Sequence, residues 1–201
     1  MNGKNYTGLL AVVAVVAIVL LWLNARPPAA SRLDGVYAQS YANKHAAALQ
    51  PAANIDTLDQ PLFSDEEITD WLTTTIARDM QYDGGDQLAR LDRFAAAFTL
   101  QGWGDYLAAL RDTRLLELLA ERRTGMFVSI DGPAIIRNRG VERKTQTYVW
   151  QVEIPATLKY GEGIGDMKSR LLLQVRRAPA HESAKGIGIG RFILDTSNTI
   201  P

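Results

Sequence analysis

The 201-residue sequence contains no cysteine and only two histidines, His45 and His181. The absence of cysteine excludes a disulfide framework and any metal site built on thiolates. Neither histidine has a second metal ligand at a recognisable spacing, and both the HExxH motif and the GxSxG elbow are missing. We therefore predict that the protein is not an enzyme and that it has no catalytic residue, metal or cofactor.

One glycine-rich stretch, residues 185–191 with the sequence KGIGIGR, has the composition of a phosphate-binding loop but the wrong spacing. A P-loop requires four residues between its first glycine and a Gly-Lys-Ser/Thr ending, and the dinucleotide fingerprint requires glycine where Arg191 stands. Gly186, Gly188 and Gly190 instead alternate with isoleucine. This period of two predicts a β-strand with one bare face, which a helix or another backbone can approach closely.

Net charge is also absent, because the 22 basic and 22 acidic residues cancel. The cancellation hides an asymmetry: residues 63–125 contain 12 acids and 7 bases, whereas residues 126–201 contain 7 acids and 11 bases. The simplest explanation is ordinary surface variation; the alternative is that neighbouring copies dock an acidic face against a basic one. No dense basic stripe with interleaved aromatics occurs, so we expect no direct nucleic-acid binding.

What the sequence does contain is a long apolar run near its start. Residues Leu9–Leu23 read LLAVVAVVAIVLLWL within the 21 uncharged residues Asn5–Ala25. At about 1.5 Å per residue this segment makes a helix of roughly 31 Å, close to the hydrocarbon thickness of a bilayer. We predict a transmembrane helix over residues 9–25. Its membrane-spanning side chains include Leu9, Val16, Leu20 and Leu23. A cleavable signal peptide is the alternative, although two prolines crowd the candidate cleavage sites.

The span divides the chain into five predicted segments. They are a short cytoplasmic tail over residues 1–8, the transmembrane helix over 9–25, a linker over 26–62, a folded domain over 63–196 and a tail over 197–201. The linker is rich in alanine and proline, and residues 37–49 can form a short helix within it. Positive charge is nearly balanced across the span, since Lys4 and the α-amino group face Arg26 and Arg32. We expect a cytoplasmic N-terminus, because so short a tail is easily left inside.

Helical spacing dominates the first half of the folded domain. Residues 64–67, Ser-Asp-Glu-Glu, form a capping box that opens an apolar stripe from Ile68 to Met80. A second stripe extends from Leu88 to Phe98, Thr99 can cap a third helix, and residues 114–123 continue the helical pattern.

The pattern changes to alternation after residue 125. Glycine-containing turns separate the strands, which are predicted around residues 126–130, 148–154, 171–175 and 186–194. One of these predicted turns covers residues 138–140. Helices followed by an antiparallel sheet predict an α+β domain in which the helices pack on one face of a curved sheet.

Six residues are candidates for packing or for a subunit interface. They are three aromatics at helical spacing and the glycines of the bare strand: Phe98, Trp103, Tyr106, Gly186, Gly188 and Gly190. Aromatics at this spacing are usually core residues, whereas an edge strand or a partly exposed aromatic can supply a subunit contact. The sequence leaves both roles open.

Five short motifs follow one another between Leu58 and Leu194. They are Leu58-Asp59-Gln60-Pro61, then Trp71, then Phe98-Thr99-x-x-Gly102-Trp103-x-x-Tyr106-Leu107-x-x-Leu110, then Trp150-Gln151-Val152-x-Ile154-Pro155, then Lys185-Gly186-Ile187-Gly188-Ile189. In this order they resemble the IcmL/DotI family of type IVB secretion systems, which includes the TraM proteins of IncI-type conjugative plasmids.

The resemblance implies a single-pass inner-membrane protein of Gram-negative bacteria with a cytoplasmic N-terminus and a periplasmic C-terminal domain. It implies a nuclear-transport-factor-like fold, similar to the assembly-factor domain of the simpler VirB-type machines. The expected role is a structural subunit of a secretion or conjugation apparatus. Such a subunit would form homo-oligomers and would contact other inner-membrane components as well as the lipid bilayer.

Two other functions remain open. A membrane-tethered enzyme or small-ligand-binding domain of the same fold would need ionisable groups that converge in a cavity, such as an Asp or Glu beside His181. A stand-alone anchored scaffold would purify without partners.

Overall fold

The computed structural model describes residues 30–48, 57–83, 85, 87–113, 115–122, 124–161 and 165–195. Within these residues lie the helices α1 (Ala30–Ala48), α2 (Asp65–Asp79), α3 (Gln87–Ala95), α4 (Leu100–Asp112) and α5 (Leu115–Arg122). The strands are β1 (Gln81–Tyr82), β2 (Met126–Ile130), β3 (Ile135–Glu142), β4 (Thr147–Tyr160), β5 (Asp166–Arg177) and β6 (Ile187–Asp195).

Two predicted helix starts are confirmed by their capping hydrogen bonds. Glu67 N–H donates to Ser64 Oγ over 3.2 Å, and Ser64 N–H donates to Glu67 Oε2 over 2.8 Å, which completes the capping box of α2. Ser64 N–H and Ser64 Oγ both donate to Glu67 Oε2, and these two hydrogen bonds lower the pKa of Glu67. Thr99 caps α4, since its Oγ1 accepts from Gly102 N–H over 3.1 Å. Both caps satisfy backbone donors that the first turn leaves free.

The strands form one antiparallel sheet in which β4 is the shared strand. Hydrogen-bonded neighbours follow the order β1-β2-β4-β5-β6, and β3 also pairs with β4. Ile130 pairs with Ala156 and Ile135 pairs with Glu153, so β2 and β3 lie end to end along one edge of β4. Gly132 and Pro133 lie between them, and proline has no N–H to donate to the ladder.

The helices pack on one face of this curved sheet, and the apolar core lies between the two layers. Trp103 of α4 and Trp150 of β4 are completely buried. Along β4 the core positions alternate through Val152 and Ile154, as the period of a half-buried strand requires. The predicted α+β class is therefore confirmed.

Two local elements differ from the sequence prediction. The predicted turn over residues 138–140 lies inside β3, where the register shifts between Ile136 and Asn138 and Gly140 has a φ of +150°. The bulge and the glycine explain the difference, because Asn and Gly are typical of turns but lie here within an irregular strand. Phe98 lies beyond the end of α3, because residues 96–98 leave the helix and Phe98 forms a parallel bridge with Ile189.

Helix α1 occupies much of the segment predicted as a linker over 26–62, and it is longer than the short helix expected over 37–49. Its inner face packs against α3 and α4, with Tyr37, Ser40 and Lys44 buried. Residues 30–48 are therefore packed on the domain in this structure.

The predicted transmembrane helix over 9–25, with Leu9, Val16, Leu20 and Leu23, lies outside the described residues, as do the two predicted tails. None of the helices in the described part of the chain combines the length and apolarity that crossing a bilayer requires.

Candidate functional site

The three aromatic candidates pack together in the core. Phe98 has its ring centroid 5.2 Å from that of Trp103 and 5.2 Å from that of Tyr106, and Phe94 joins them from α3. Each of these side chains is at most 3% exposed. In this structure the aromatics support the packing of α3 and α4 and present no surface to a second subunit.

Glycines allow the start of α4 to lie directly on β6. Thr99 N–H donates to the Ile189 carbonyl oxygen over 3.1 Å, and Ile189 N–H donates to the Ala97 carbonyl oxygen over 2.8 Å. A Cβ at Gly102 would lie 2.1 Å from the Ile189 carbonyl oxygen, and a Cβ at Gly188 would lie 2.9 Å from Thr99 N. The two backbones therefore approach as closely as the Gly-Ile alternation predicts.

The other two glycines of this strand have local roles of their own. Gly186 has a φ of +74°, in the left-handed region that favours glycine, and it turns the chain into β6. A Cβ at Gly190 would lie 2.7 Å from Arg176 Cδ, where the register of β5 and β6 shifts. The structure thus places the candidate glycines at a turn, a backbone contact and a bulge.

A pair of buried hydroxyl groups lies beside the aromatic cluster. Tyr82 Oη and Tyr106 Oη are 2.7 Å apart. Burial raises the pKa of Tyr82 to about 12 and holds the pKa of Tyr106 well above its usual value, because a buried phenolate would lose its hydration. Both phenols stay neutral at physiological pH, so neither is poised as a general acid or base there.

The face of the sheet that points away from the helices carries an apolar row. Directly paired residues of an antiparallel sheet point to the same face. Glu153 pairs with Ile135 and with Leu172, and Leu172 pairs with Ile193. Ile135 is 41% exposed and Ile193 is 39% exposed. We call this face of β3, β4, β5 and β6 the outer face; a shallow depression of about 230 Å³ lies on it.

One ion pair interrupts the apolar row and another borders it. Glu153 of β4 lies between Ile135 and Leu172, and Arg137 Nε donates to its Oε2 over 2.9 Å, which lowers the pKa of Glu153. Arg170 donates to Asp195 Oδ2 over 2.5 Å. Arg191 is exposed and pairs in register with Gln174, two residues along β6 from Ile193. Arginines therefore line the row, and two of them pair with acids on the same face.

A cavity of about 590 Å³ lies between α1, α3 and residues 180–185. Lys44 is only 8% exposed, and its Nζ donates to the Glu182 carbonyl oxygen over 2.9 Å. Burial lowers the pKa of Lys44, and the nearby Glu182 charge partly opposes that shift. His181 and Asp92 line the same cavity, and Asn43 Nδ2 donates to Asp92 Oδ2 over 2.7 Å. Ionisable groups therefore converge here, as the ligand-binding alternative requires.

The cavity does not form a metal centre. Among the described residues, no three His, Cys, Asp or Glu side chains come together in a way that could hold a metal ion. His45 lies on the exposed side of α1, with its ring centroid 6.4 Å from that of Tyr41.

Neither the apolar row nor Lys44 is among the candidate site residues that the sequence predicts. The sequence does contain a signal for the row. Leu172 and Ile193 are apolar residues at positions that alternate with the core positions of β5 and β6. Lys44 gave no such signal, because a lysine among alanines usually indicates a solvated helix face.

Residues 42–196 match the model of the DotI/IcmL family, described as an inner-membrane complex component of the type IVb secretion system. No curated protein matches the sequence significantly. Three solved structures have a similar fold. The periplasmic domain of DotI is 21% identical with a TM-score of 0.63, and the match covers 69% of this chain and 99% of that one.

The second structure is a periplasmic fragment of TraM, 13% identical with a TM-score of 0.59, matched over 68% of this chain and all of the fragment. The third is an IcmL-like type IV secretion system protein from Legionella pneumophila, 16% identical with a TM-score of 0.57. The match covers 69% of this chain and 97% of the Legionella protein. At these identities the likeness shows the shared fold.

Proposed function

This chain belongs to the DotI/IcmL family of type IVb secretion-system inner-membrane components, and from that membership we propose its place in the machine. It is a structural subunit of a secretion or conjugative DNA-transfer apparatus that homo-oligomerises through its folded domain. The observation that carries this proposal is the family match over residues 42–196, which includes nearly all of the described domain.

The proposed location is the bacterial inner membrane, with a cytoplasmic N-terminus and a periplasmic domain of the nuclear-transport-factor-like type. The apolar run at residues 9–25 supports a single membrane anchor, since its length matches a bilayer. Two of the three similar structures are of periplasmic domains or fragments, which supports the placement of the domain. The proposed partners are other copies of the chain, other inner-membrane components and the surrounding lipid.

The proposed role is not enzymatic. Tyr82 and Tyr106 remain protonated by burial, and the ion pairs of the outer face neutralise acids that might otherwise act as bases. The raised pKa values make the phenols weak acids, and the lowered pKa makes Glu153 a weak base.

The direct test is to purify the detergent-solubilised complex from cells that carry the whole apparatus and to count copies of this chain by imaging. We expect several copies together with other inner-membrane components, and we expect deletion of the gene to abolish DNA or effector transfer. Restoring the full chain should restore transfer. A monomer that purifies alone, from cells whose transfer does not depend on it, would contradict the proposal.

The cavity beside Lys44 supports a second candidate, a binding site for a small anion. A buried ammonium with one carbonyl partner has donors left for a ligand oxygen. Titration of the purified chain with phosphate, and separately with acetate, tests this function through the NMR signals of the His181 ring. Saturable shifts that Lys44→Met abolishes would support it, and unchanged signals up to high millimolar concentration would exclude it for these anions.

A further inference from the structure

The outer face has the composition of a protein interface. Its apolar row contains Ile135, Leu172 and Ile193, and glutamines, arginines and acids border that row. An apolar centre with a polar rim is the usual arrangement of an interface. Four strands about 4.8 Å apart and about ten residues long give a footprint of roughly 600 Å². A standard complex buries about 800 Å² of each partner, so this face could supply most of one side.

The charge of the outer face decides what kind of surface can bind it. Paired positions place more bases than acids on it: the bases are Arg137, Lys159, Lys168, Arg170, Arg176 and Arg191, and the acids are Glu142, Glu153, Asp166 and Asp195. Two copies docked outer face to outer face would bring two positively charged surfaces together, which is unfavourable. A partner surface with excess acid and an apolar anchor fits better.

The start of α2 provides such a surface on the same chain. Glu66, Glu67 and Asp70 are exposed there, and Leu62 just before the helix is 52% exposed. The hydrogen bonds from Ser64 that lower the pKa of Glu67 keep that carboxylate charged. Helix α2 belongs to the layer on the other side of the sheet, so this acidic surface and the outer face point in different directions.

We infer that the outer face of one copy binds the acidic surface at the start of α2 in the next copy. The two surfaces differ, so the contact is heterologous and repeats head to tail, closing into a ring when the rotation allows. The acids of α2 meet the arginine rim, and Leu62 meets the apolar row. This inference rests on the proposed homo-oligomer and specifies the surfaces that form it.

The experiment uses charge reversal on each surface of the full chain in detergent, with assembly measured by sedimentation over a range of concentrations. Arg191→Glu reverses the rim of the outer face, and the double change Glu66→Lys with Asp70→Lys reverses the α2 surface. Each variant alone should raise the dissociation constant at least tenfold, since like charges then face each other across the contact. Mixing the two variants should restore assembly, because one reversed surface then meets the other.

The matched control is Arg111→Glu, which makes the same change of charge at an exposed residue near the end of α4, beside Asp34 and Tyr37 of α1 in the helix layer. It should assemble as the wild type does. Added salt should weaken the wild-type contact, because rim charges are screened within about 10 Å at 0.1 M ionic strength.

The outcomes separate this inference from the proposed function. A wild-type chain that stays monomeric at every concentration contradicts the homo-oligomer itself. Wild-type-like assembly of Arg191→Glu leaves the homo-oligomer standing and overturns this contact. Stronger assembly of Arg191→Glu also overturns it, because that result indicates outer faces docked on each other.

Discussion

Helix α4 lies on β6 with backbone against backbone, whereas α1 lies on α3 and α4 through a face that mixes apolar side chains with the buried polar residues Ser40 and Lys44. At the first contact Gly102 and Gly188 leave no room for a side chain, and Thr99 and Ile189 are joined by a backbone hydrogen bond. At the second, neither the buried Tyr37 hydroxyl nor the buried Ser40 hydroxyl has a hydrogen-bond partner among the described residues.

The difference separates a contact that defines the fold from one that is added to it. Burying a polar group without a partner costs free energy, so the apolar gain from docking α1 is partly offset. At the α4–β6 contact the polar backbone groups are paired, and in α4 Trp103 Nε1 is the one buried side-chain polar atom that has no hydrogen-bond partner among the described residues. We therefore expect changes at α4–β6 to unfold the domain and changes at α1 to have small effects.

The largest effect should come from Gly102→Ala, which would lower the free energy of unfolding by about 3 kcal/mol. The new methyl group would meet the Ile189 carbonyl oxygen, so α4 must move away from β6. Urea unfolding of the full chain, followed by circular dichroism, measures the loss. The matched control is Gly35→Ala in α1, where nothing lies within 4 Å of the new Cβ. That change should stabilise the protein by up to about 1 kcal/mol through helix propensity. Equal effects of the two substitutions would remove the contrast between the contacts.

Alkaline unfolding should give the next largest effect. The pKa of Tyr82 is raised from its usual value of 10.0 to about 12, so the folded protein keeps a proton that the unfolded chain releases. The contribution of Tyr82 to the free energy of unfolding is fully present below pH 10. It should fall by about 2 kcal/mol as the pH rises from 10.0 to about 12. The slope of unfolding free energy against pH measures it. Tyr82→Phe should reduce the slope and leave the part that the buried Tyr106 contributes; a wild type with no slope above pH 10 would mean that the phenols are hydrated.

The smallest effect should come from Lys44→Met on the docking face of α1. Methionine keeps the apolar stem and removes the buried ammonium, so the lost hydrogen bond to the Glu182 carbonyl is offset by relief of its desolvation. The free energy of unfolding should change by less than about 1 kcal/mol. Lys44→Ala, which also removes the stem, should cost about 2 kcal/mol by leaving a cavity. A loss above that value for Lys44→Met would show that the charge itself holds α1 in place.

Periodicity in the sequence predicted the elements whose buried faces are apolar. Ile68, Leu72 and Ile76 mark α2, and Trp150, Val152 and Ile154 mark β4, because each set repeats at the period of its structure. Helix α1 escaped full prediction for the same reason. Its buried stripe includes Ser40 and Lys44, which a hydrophobicity pattern places on the solvent side.

The candidate site was harder to predict than the fold. An outward row such as Ile135, Leu172 and Ile193 forms only when four strands, β3 to β6, are in register, and a single sequence does not reveal register. The aromatics and glycines were visible because of their residue types. Their buried or backbone-contacting positions depend on how α4 lies on β6.

The bond from Lys44 to the Glu182 carbonyl joins residues that are 138 positions apart in the chain. During synthesis α1 is among the first segments of the domain to emerge, but the oxygen that its lysine requires is among the last. The bond from α1 therefore cannot form until the segment between β5 and β6 has been synthesised. Completion of this link is a late event of maturation, and a copy truncated before Glu182 would leave its first helix without that anchor.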